Sequence, residues 1–335
     1  RCPMRCKMCN IWDNPTKVSE EFKPELLEKL PKVDTVNITG GEPFVREDIE
    51  DIVKILFTKT KRIVFSTSGY YSDRIIQLAR KYPQLGFRIS IEGLSCKNDE
   101  LRGRPGGFDK GLKTLLELRR MGVKDIGFGI TVSNNNSSDM LQLYELNRNL
   151  KMEFATASFH NSFYFHKYDN KVTNIDEVCG NFDELIQRLM NEKHPKSWFR
   201  AFFNLGLINY VKGGRRMLPC EAVTENFFIE PYGNVLPCNG KEESCWFDTM
   251  GNLHDVEDFM TLWTGAKAKA VRDKVANCPK SCWMIGSASP VMKKYITKVA
   301  PWVLKNKLKV MRGGRVDTTC IPFFHVGNND KQGLR

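Results

Sequence analysis

The sequence predicts an α/β fold: a partial (βα)6 TIM-like barrel followed by a small cysteine-rich domain built on a β-hairpin and a helix. Three observations carry this reading. Strand-like and helix-like segments alternate with short links through the first 160 residues or so. That alternation then fades, which suits an open barrel better than a closed eightfold one. Beyond the Gly213-Gly214 linker the composition changes, and cysteines return around a hairpin pattern. Repeated strand–helix units imply a parallel sheet with helices outside it.

The elements follow in order. Val33–Thr39 is a short β-rich run, and Glu47–Thr58 has apolar residues at helical spacing. Arg62–Thr67 reads as a strand and Ser72–Lys81 as a helix led by a serine cap. Phe87–Ile91 is a strand, and Phe108–Met121 a helix stopped by Gly122. Asp125–Val132 is a strand, Ser138–Leu150 a helix and Glu153–Ala157 a strand. Five units are counted if a strand ahead of residue 1 leads into the first loop. The stretch from Glu153 onward then brings the expected barrel to six. Residues 160–215 read as helical with aromatics. Asn226–Glu230, the turn Pro231-Tyr232-Gly233-Asn234 and Val235–Pro237 read as a β-hairpin. Expected boundaries are 1–212 for the barrel, 213–290 for the cysteine-rich domain and 291–335 for a basic tail. In that tail Trp302, Leu304 and Leu308 sit among lysines. A helix packed on the domain is expected there, with peripheral contact to a membrane surface as the rival.

Cys2, Cys6 and Cys9 lie within eight residues, spaced C-x-x-x-C-x-x-C. Soft thiolates select iron–sulfur clusters, zinc or copper(I). Three thiolates on one tight loop can hold three irons of a cubane and leave the fourth open. Zinc stays the rival, although zinc ribbons usually show C-x-x-C pairs. Active groups of α/β barrels sit on loops after strand C-terminal ends. Polar or small residues fall there four times: Thr39–Pro43, Ser66–Gly69, Ser90–Gly93 and Thr131–Asn134. One such stretch would be an ordinary turn or cap; four on one rim point to a site. A second set, Cys220, Cys238, Cys278 and Cys282, supplies four thiolates, enough to close one cluster or one zinc. Cys245 and Cys320 are alternative ligands or bystanders, and Cys96 and Cys179 are bystanders.

The bulk numbers limit the function classes. A chain of 335 residues accommodates one or two domains. No apolar run approaches the roughly 18 residues of a membrane span, and no signal-peptide pattern opens the chain. The chain begins with Arg and reaches a motif at residue 2, so upstream sequence is expected. Eleven cysteines, an odd number in metal-like spacings, argue for a reducing cytoplasm rather than a disulfide framework. The net charge of +12 suits anionic partners, or simply a solvated basic surface.

The cysteine triple, TGGEP at 39–43 and SIEG at 90–93 followed by LRGRPGGFDKGL resemble the radical S-adenosylmethionine (SAM) enzymes. The later cysteines resemble the SPASM/twitch subgroup with one auxiliary cluster. The resemblance runs from residue 1 to about residue 290. It implies that Cys2, Cys6 and Cys9 hold a [4Fe–4S] cluster whose open iron SAM chelates. Gly40, Gly41 and Glu42 would meet the methionyl amino group. Ser66, Ser68, Ser90 and Glu92, with Thr131 and Asn134, would contact the SAM ribose and methionine. Arg102 or Arg104 would fork onto a carboxylate, and Trp12 would cover the adenine. Cys220, Cys238, Cys278 and Cys282 would hold a second [4Fe–4S] cluster of the twitch type.

The implied function is reductive cleavage of SAM to a 5′-deoxyadenosyl radical, which abstracts hydrogen from a substrate C–H bond. The auxiliary cluster would accept an electron, giving a two-electron oxidation of a polar or anionic small molecule or sugar derivative. An external reductant such as flavodoxin or ferredoxin is implied. Glu92, His160, Tyr164 and His166 are candidates for a general base. A radical SAM peptide-modifying maturase is the alternative in the same chemistry. A structural zinc or Fe–S protein that binds nucleic acid is the alternative of another class.

Overall fold

The computed structural model describes residues 1–240, 249–278 and 281–323. Five parallel strands form one sheet in chain order: β1 (Val36–Ile38), β2 (Ile63–Thr67), β3 (Gly86–Ser90), β4 (Ile126–Val132) and β5 (Glu153–Ser158). The register is in step along the sheet, with Ile38 beside Phe65, Phe65 beside Phe87, Ile89 beside Phe128 and Thr131 beside Ala157. This is the expected partial barrel. Five of the six expected strands are found among the described residues.

Strand alternation sorts the side chains. Phe65, Phe87, Ile89, Phe128 and Val132 are fully buried on the outer face. There they join the core with α1 (Ile49–Lys59), α2 (Ser72–Lys81), α4 (Gly107–Arg120) and α5 (Ser137–Asn149). Between α2 and α4, after β3, comes a seven-residue helix, α3 (Cys96–Arg102). Periodicity does not single it out, because too few apolar residues repeat in two turns. The alternate positions Ser66, Ser90, Gly129, Thr131, Ala155 and Ala157 border a cavity. Closed barrels fill that space with layers of bulky residues. Here small side chains leave it hollow.

After β5 come α6 (Ile175–Asn191) and α7 (Pro195–Val211), packed on each other. The Thr156 hydroxyl donates to Asn204 Oδ1 at 2.8 Å and ties α7 to β5. The hairpin appears as β6 (Phe228–Ile229) and β7 (Asn234–Leu236), joined antiparallel by β8 (Gly251–Asn252). Its turn contains Gly233 at φ +85°, left-handed backbone that favours glycine. Next follow α8 (Phe259–Thr264), α9 (Ala266–Ala276), α10 (Ile285–Lys294) and α11 (Ile296–Met311).

The basic C-terminal segment is therefore helical. In α11, Val299 and Val303 are buried, and the Trp302 ring meets Phe202 of α7 edge-on at 5.2 Å. Lys307 Nζ donates to the carbonyls of Met190 and Glu192, where a cation suits the end of α6. Leu304 and Leu308 stay exposed. Among the described residues no helix is long and apolar enough to cross a membrane.

Candidate active site

The cysteine loop runs across the mouth of the half-barrel and is fastened on two sides by backbone alone. On one side the Glu42 N–H donates to the Arg1 carbonyl at 3.0 Å. A Cβ at Gly41 would stand 2.2 Å from that carbonyl oxygen, so only glycine lets the two loops meet. On the other side the Arg5 N–H donates to the Arg102 carbonyl at 3.0 Å, and the Lys7 N–H to the Leu101 carbonyl at 2.9 Å. Gly103, at φ +59°, ends α3 there, and a Cβ on it would stand 2.3 Å from the Arg5 carbonyl oxygen. Asn10 adds a third tie, its amide N–H groups donating to the Phe165 and His166 carbonyls.

Burial pushes the Cys2 thiol up to about 12, and the nearby Cys6 and Glu42 push the same way. Burial also raises Cys6 and Cys9. The Arg102 guanidinium pulls against this at all three cysteines. Three packed thiols that resist ionisation alone are suited to a metal centre, whose positive charge replaces the missing counter-ions.

Glu42 is buried, with both carboxylate oxygens committed. Oε1 accepts from the Thr67 hydroxyl at 2.6 Å, and Oε2 from the Ser68 N–H at 2.7 Å and the Ser68 hydroxyl at 2.5 Å. Thr67 is therefore part of the site, although it reads as an ordinary strand-end residue. Its role shows only once β2 lies beside β1.

Glu92 joins the next two strand ends. Its Oε1 accepts from Arg102 Nη1 at 3.1 Å and its Oε2 from the Thr131 N–H at 2.7 Å. Asn98 accepts from the Glu92 N–H, and Asn136 donates to the Glu92 carbonyl. Burial raises the Glu92 carboxyl, with Arg102 opposing. Despite its own burial, the Arg102 guanidinium is held strongly protonated by Cys6, Glu92, Cys2 and Glu42. Its Nε is buried with no hydrogen-bond partner among the described residues. Arg102 thus faces the thiols. Arg104 does not: its Nη2 donates to the Tyr70 hydroxyl at 2.6 Å outside the cavity.

A cavity of about 2150 Å³ opens beneath these loops and runs out along the β1 edge beside Leu30 and Ile52. Gly40, Gly41, Glu42, Ser66, Ser90, Glu92 and Thr131 border it, as do His160, Tyr164 and His166. Ser68 lies behind the wall on Glu42. Asn134 is directed elsewhere, accepting from the Thr173 and Asn174 N–H groups and donating to the Lys171 carbonyl. Trp12 sits under the Arg5 guanidinium at 5.6 Å, and its buried indole N–H has no partner among the described residues. Tyr164 is half-buried beside the hairpin. Its ring meets Phe228 at 4.9 Å, and its hydroxyl would lie 3.2 Å from a Cβ at Gly40. Burial raises its phenol, helped by Cys9 and Glu230.

The second cysteine set gathers around Cys238. Cys238 borders the cavity. Burial pushes its thiol up to about 12, with Cys282, Cys220 and Cys278 all adding to the shift. The loop carrying Cys282 is anchored by its neighbour Trp283, whose indole N–H donates to the Phe203 carbonyl at 2.9 Å. Gly206 in α7 makes room: a Cβ there would stand 2.2 Å from the indole. Arg216 lies over the Trp283 ring and donates to the Cys282 and Ser287 carbonyls. Cys96 and Cys320 are exposed, and Cys179 is buried in α6. Cys245 lies outside the described residues.

The donors fit two clusters. Among the described residues no three His, Cys, Asp or Glu groups close around one metal-ion position. Cluster thiolates instead sit at separate corners, each on its own iron.

Comparison with known proteins agrees with this arrangement. The family model of the radical SAM superfamily matches residues 1–146, and that of the SPASM iron–sulfur cluster-binding domain matches residues 220–284. Fe-coproporphyrin III synthase of Methanosarcina barkeri is 28% identical over 155 residues, a match spanning 44% of this chain and only 38% of the relative. Sporulation killing factor maturation protein SkfB of Bacillus subtilis is 26% identical over 299 residues, covering 83% of this chain and 66% of that protein. The solved structure of anSMEcpe with bound AdoMet shares the fold, with a TM-score of 0.59 at 13% identity over 91% of this chain and 96% of that one.

Proposed function

The chain belongs to the radical SAM superfamily and carries a SPASM domain, and from that premise we propose that it oxidises a substrate C–H bond in the cavity between two [4Fe–4S] clusters. One observation carries the reading: Arg1, Gly41 and Glu42, which pack on the first cysteine set, and Cys238 of the second set border a single cavity. Cys2, Cys6 and Cys9 would hold the SAM-binding cluster, and Cys220, Cys238, Cys278 and Cys282 the auxiliary one. When bound, cluster and SAM supply a 5′-deoxyadenosyl radical able to take hydrogen from an unreactive carbon.

The protein's own groups prepare that step. Gly41 and Gly103 let two loops grip the cysteine loop at backbone distance, fixing its place over the cavity. Arg102 sets a fixed positive charge beside three thiolates, and Glu92 holds the guanidinium there. Glu42 spends its charge on Thr67 and Ser68, so it sets the shape of the strand ends. Ser66, Ser90 and Thr131 offer hydroxyls to a polar ligand inside the barrel. Glu92 is too firmly tied to move as a base. His160, Tyr164 and His166 stay at the wall as candidates for the substrate proton. Trp283, packed between the barrel and the second cysteine loop, holds the electron-accepting side in place.

The substrate in this reading is a polar small molecule. The lining gives little preference for anions, since nine Arg or Lys and eight Asp or Glu border the cavity. The reach of the SkfB match along this chain favours a second reading, modification of a peptide. Anaerobically reconstituted protein given SAM and a low-potential reductant is expected to release 5′-deoxyadenosine. Absence of that product would reject the proposal. Loss of two hydrogens from an added peptide, rather than from small polar alcohols, would select the second reading.

A further inference from the structure

We propose that the basic face beside the cysteine loop, centred on Tyr70, Arg104, Lys110 and Lys113, docks an acidic one-electron-carrier protein that reduces the first cluster. The inference rests on the radical SAM reading and names the partner of that site.

The face is continuous with the cluster loop. Gly107 opens α4, and a Cβ there would meet Met4 Cε of the loop at 3.3 Å. Asp99 braces the link between them. Its carboxylate accepts from the Gly106 and Phe108 N–H groups, and its carbonyl from the Arg104 N–H. The face is therefore rigid where it carries charge.

Two cations converge on one aromatic ring. The Arg104 guanidinium lies 4.7 Å from the centre of the Tyr70 ring and hydrogen-bonds its hydroxyl, while Lys110 Nζ lies 3.9 Å from the same ring. An adjoining hollow of about 350 Å³ is bordered by Arg74, Lys110 and Lys113 against a single carboxylate, Asp73. Arg5 is exposed on the adjoining cysteine loop, its guanidinium over Trp12. Lys7 does not contribute, because Glu100 pairs with it at 2.6 Å. Like charges gathered this closely repel one another, and an anionic surface seated on them relieves that cost.

Position selects the partner. The inner side of the cysteine loop faces the cavity that SAM and substrate would share, so an electron has to enter from outside. This face is a basic surface next to the loop, and none of Tyr70, Arg104, Lys110 and Lys113 borders that cavity. A carrier protein with an acidic rim matches it in charge and would be steered towards it.

The test uses the full-length, two-cluster protein and compares wild type with a Lys110→Glu/Lys113→Glu variant. Neither residue takes part in the cavity. Reduction by an acidic flavodoxin at low salt is expected to slow at least about tenfold in the variant, the size of an electrostatic steering effect. Added salt should slow the wild type and shrink the difference. Reduction by photoexcited deazaflavin, which is small, should be the same in both proteins. Equal rates with flavodoxin would overturn the docking site. An equal loss with deazaflavin would overturn it too, since the substitutions would then act on the cluster itself. RNA that binds the wild type but not the variant, and leaves the flavodoxin rate unchanged, would assign the patch to nucleic acid and equally reject it. Wild-type protein that makes no 5′-deoxyadenosine with either reductant would instead defeat the underlying radical SAM reading.

Discussion

Gly41 shows how much one missing methyl group decides at the residue scale. Its Cα hydrogens face the Arg1 carbonyl where a Cβ would come to 2.2 Å, and that contact is backbone to backbone, so no side chain can swing aside. Gly41→Ala is therefore expected to push the cysteine loop off the β1 loop. Iron in the reconstituted protein should fall from about eight to about four per chain, with the second cluster kept. Glu42→Gln tests the adjoining network. The carboxylate accepts four hydrogen bonds on two oxygens; an amide has one oxygen and must turn its NH2 towards the donors of the other side. It should destabilise the fold by about 1–3 kcal/mol, measured by chemical denaturation. The GGE stretch stands out in the sequence by its letters, but its reason does not. Arg1 and Gly41 are far apart in the chain, and only the folded contact between the two loops, closed by the Glu42 N–H on the Arg1 carbonyl, brings them together.

At the scale of elements, α7 and the floor of the half-barrel set two further expectations. Gly206→Ala should drive the helix against Trp283 and cost about 1–3 kcal/mol by overpacking. Spectroscopy should then show the second cluster disturbed and the first unchanged. At the floor, burial tends to raise the Asp125 carboxyl, but Arg88 and Arg62 outweigh it and hold the group below its ordinary value. A carboxylate lowered in the folded state stabilises it above the ordinary carboxylate range. That contribution fades as pH falls through the lowered value. Urea midpoints of wild type and Asp125→Asn should therefore differ at neutral pH and converge on acidification. The strands and long helices were legible because their apolar periods are local. Helix α3 was not, being too short for a stripe, yet it carries Arg102 to the cysteines. The C-terminal segment looked like a basic amphipathic tail. Trp302 and Val303 against α6 and α7 show what its apolar side covers.

Over the whole molecule, two cysteine-bearing loops far apart in sequence close on one hollow half-barrel. The residue types of the site were readable in the chain: the triple, the strand-end glycines and carboxylates, and the four later thiols. Their connections were not. The Glu92–Arg102 pair, Thr67 on Glu42 and the turning away of Asn134 all depend on which strand ends become neighbours, and no local pattern encodes that. The central claim is that each cysteine set holds its own cluster beside a shared cavity. Iron and sulfide analysis of anaerobically reconstituted wild type and of a Cys2→Ala/Cys6→Ala/Cys9→Ala variant tests it most directly. The account predicts about eight irons in the wild type and about four in the variant. About four in the wild type and none in the variant would show that Cys220, Cys238, Cys278 and Cys282 hold no cluster, and would contradict it.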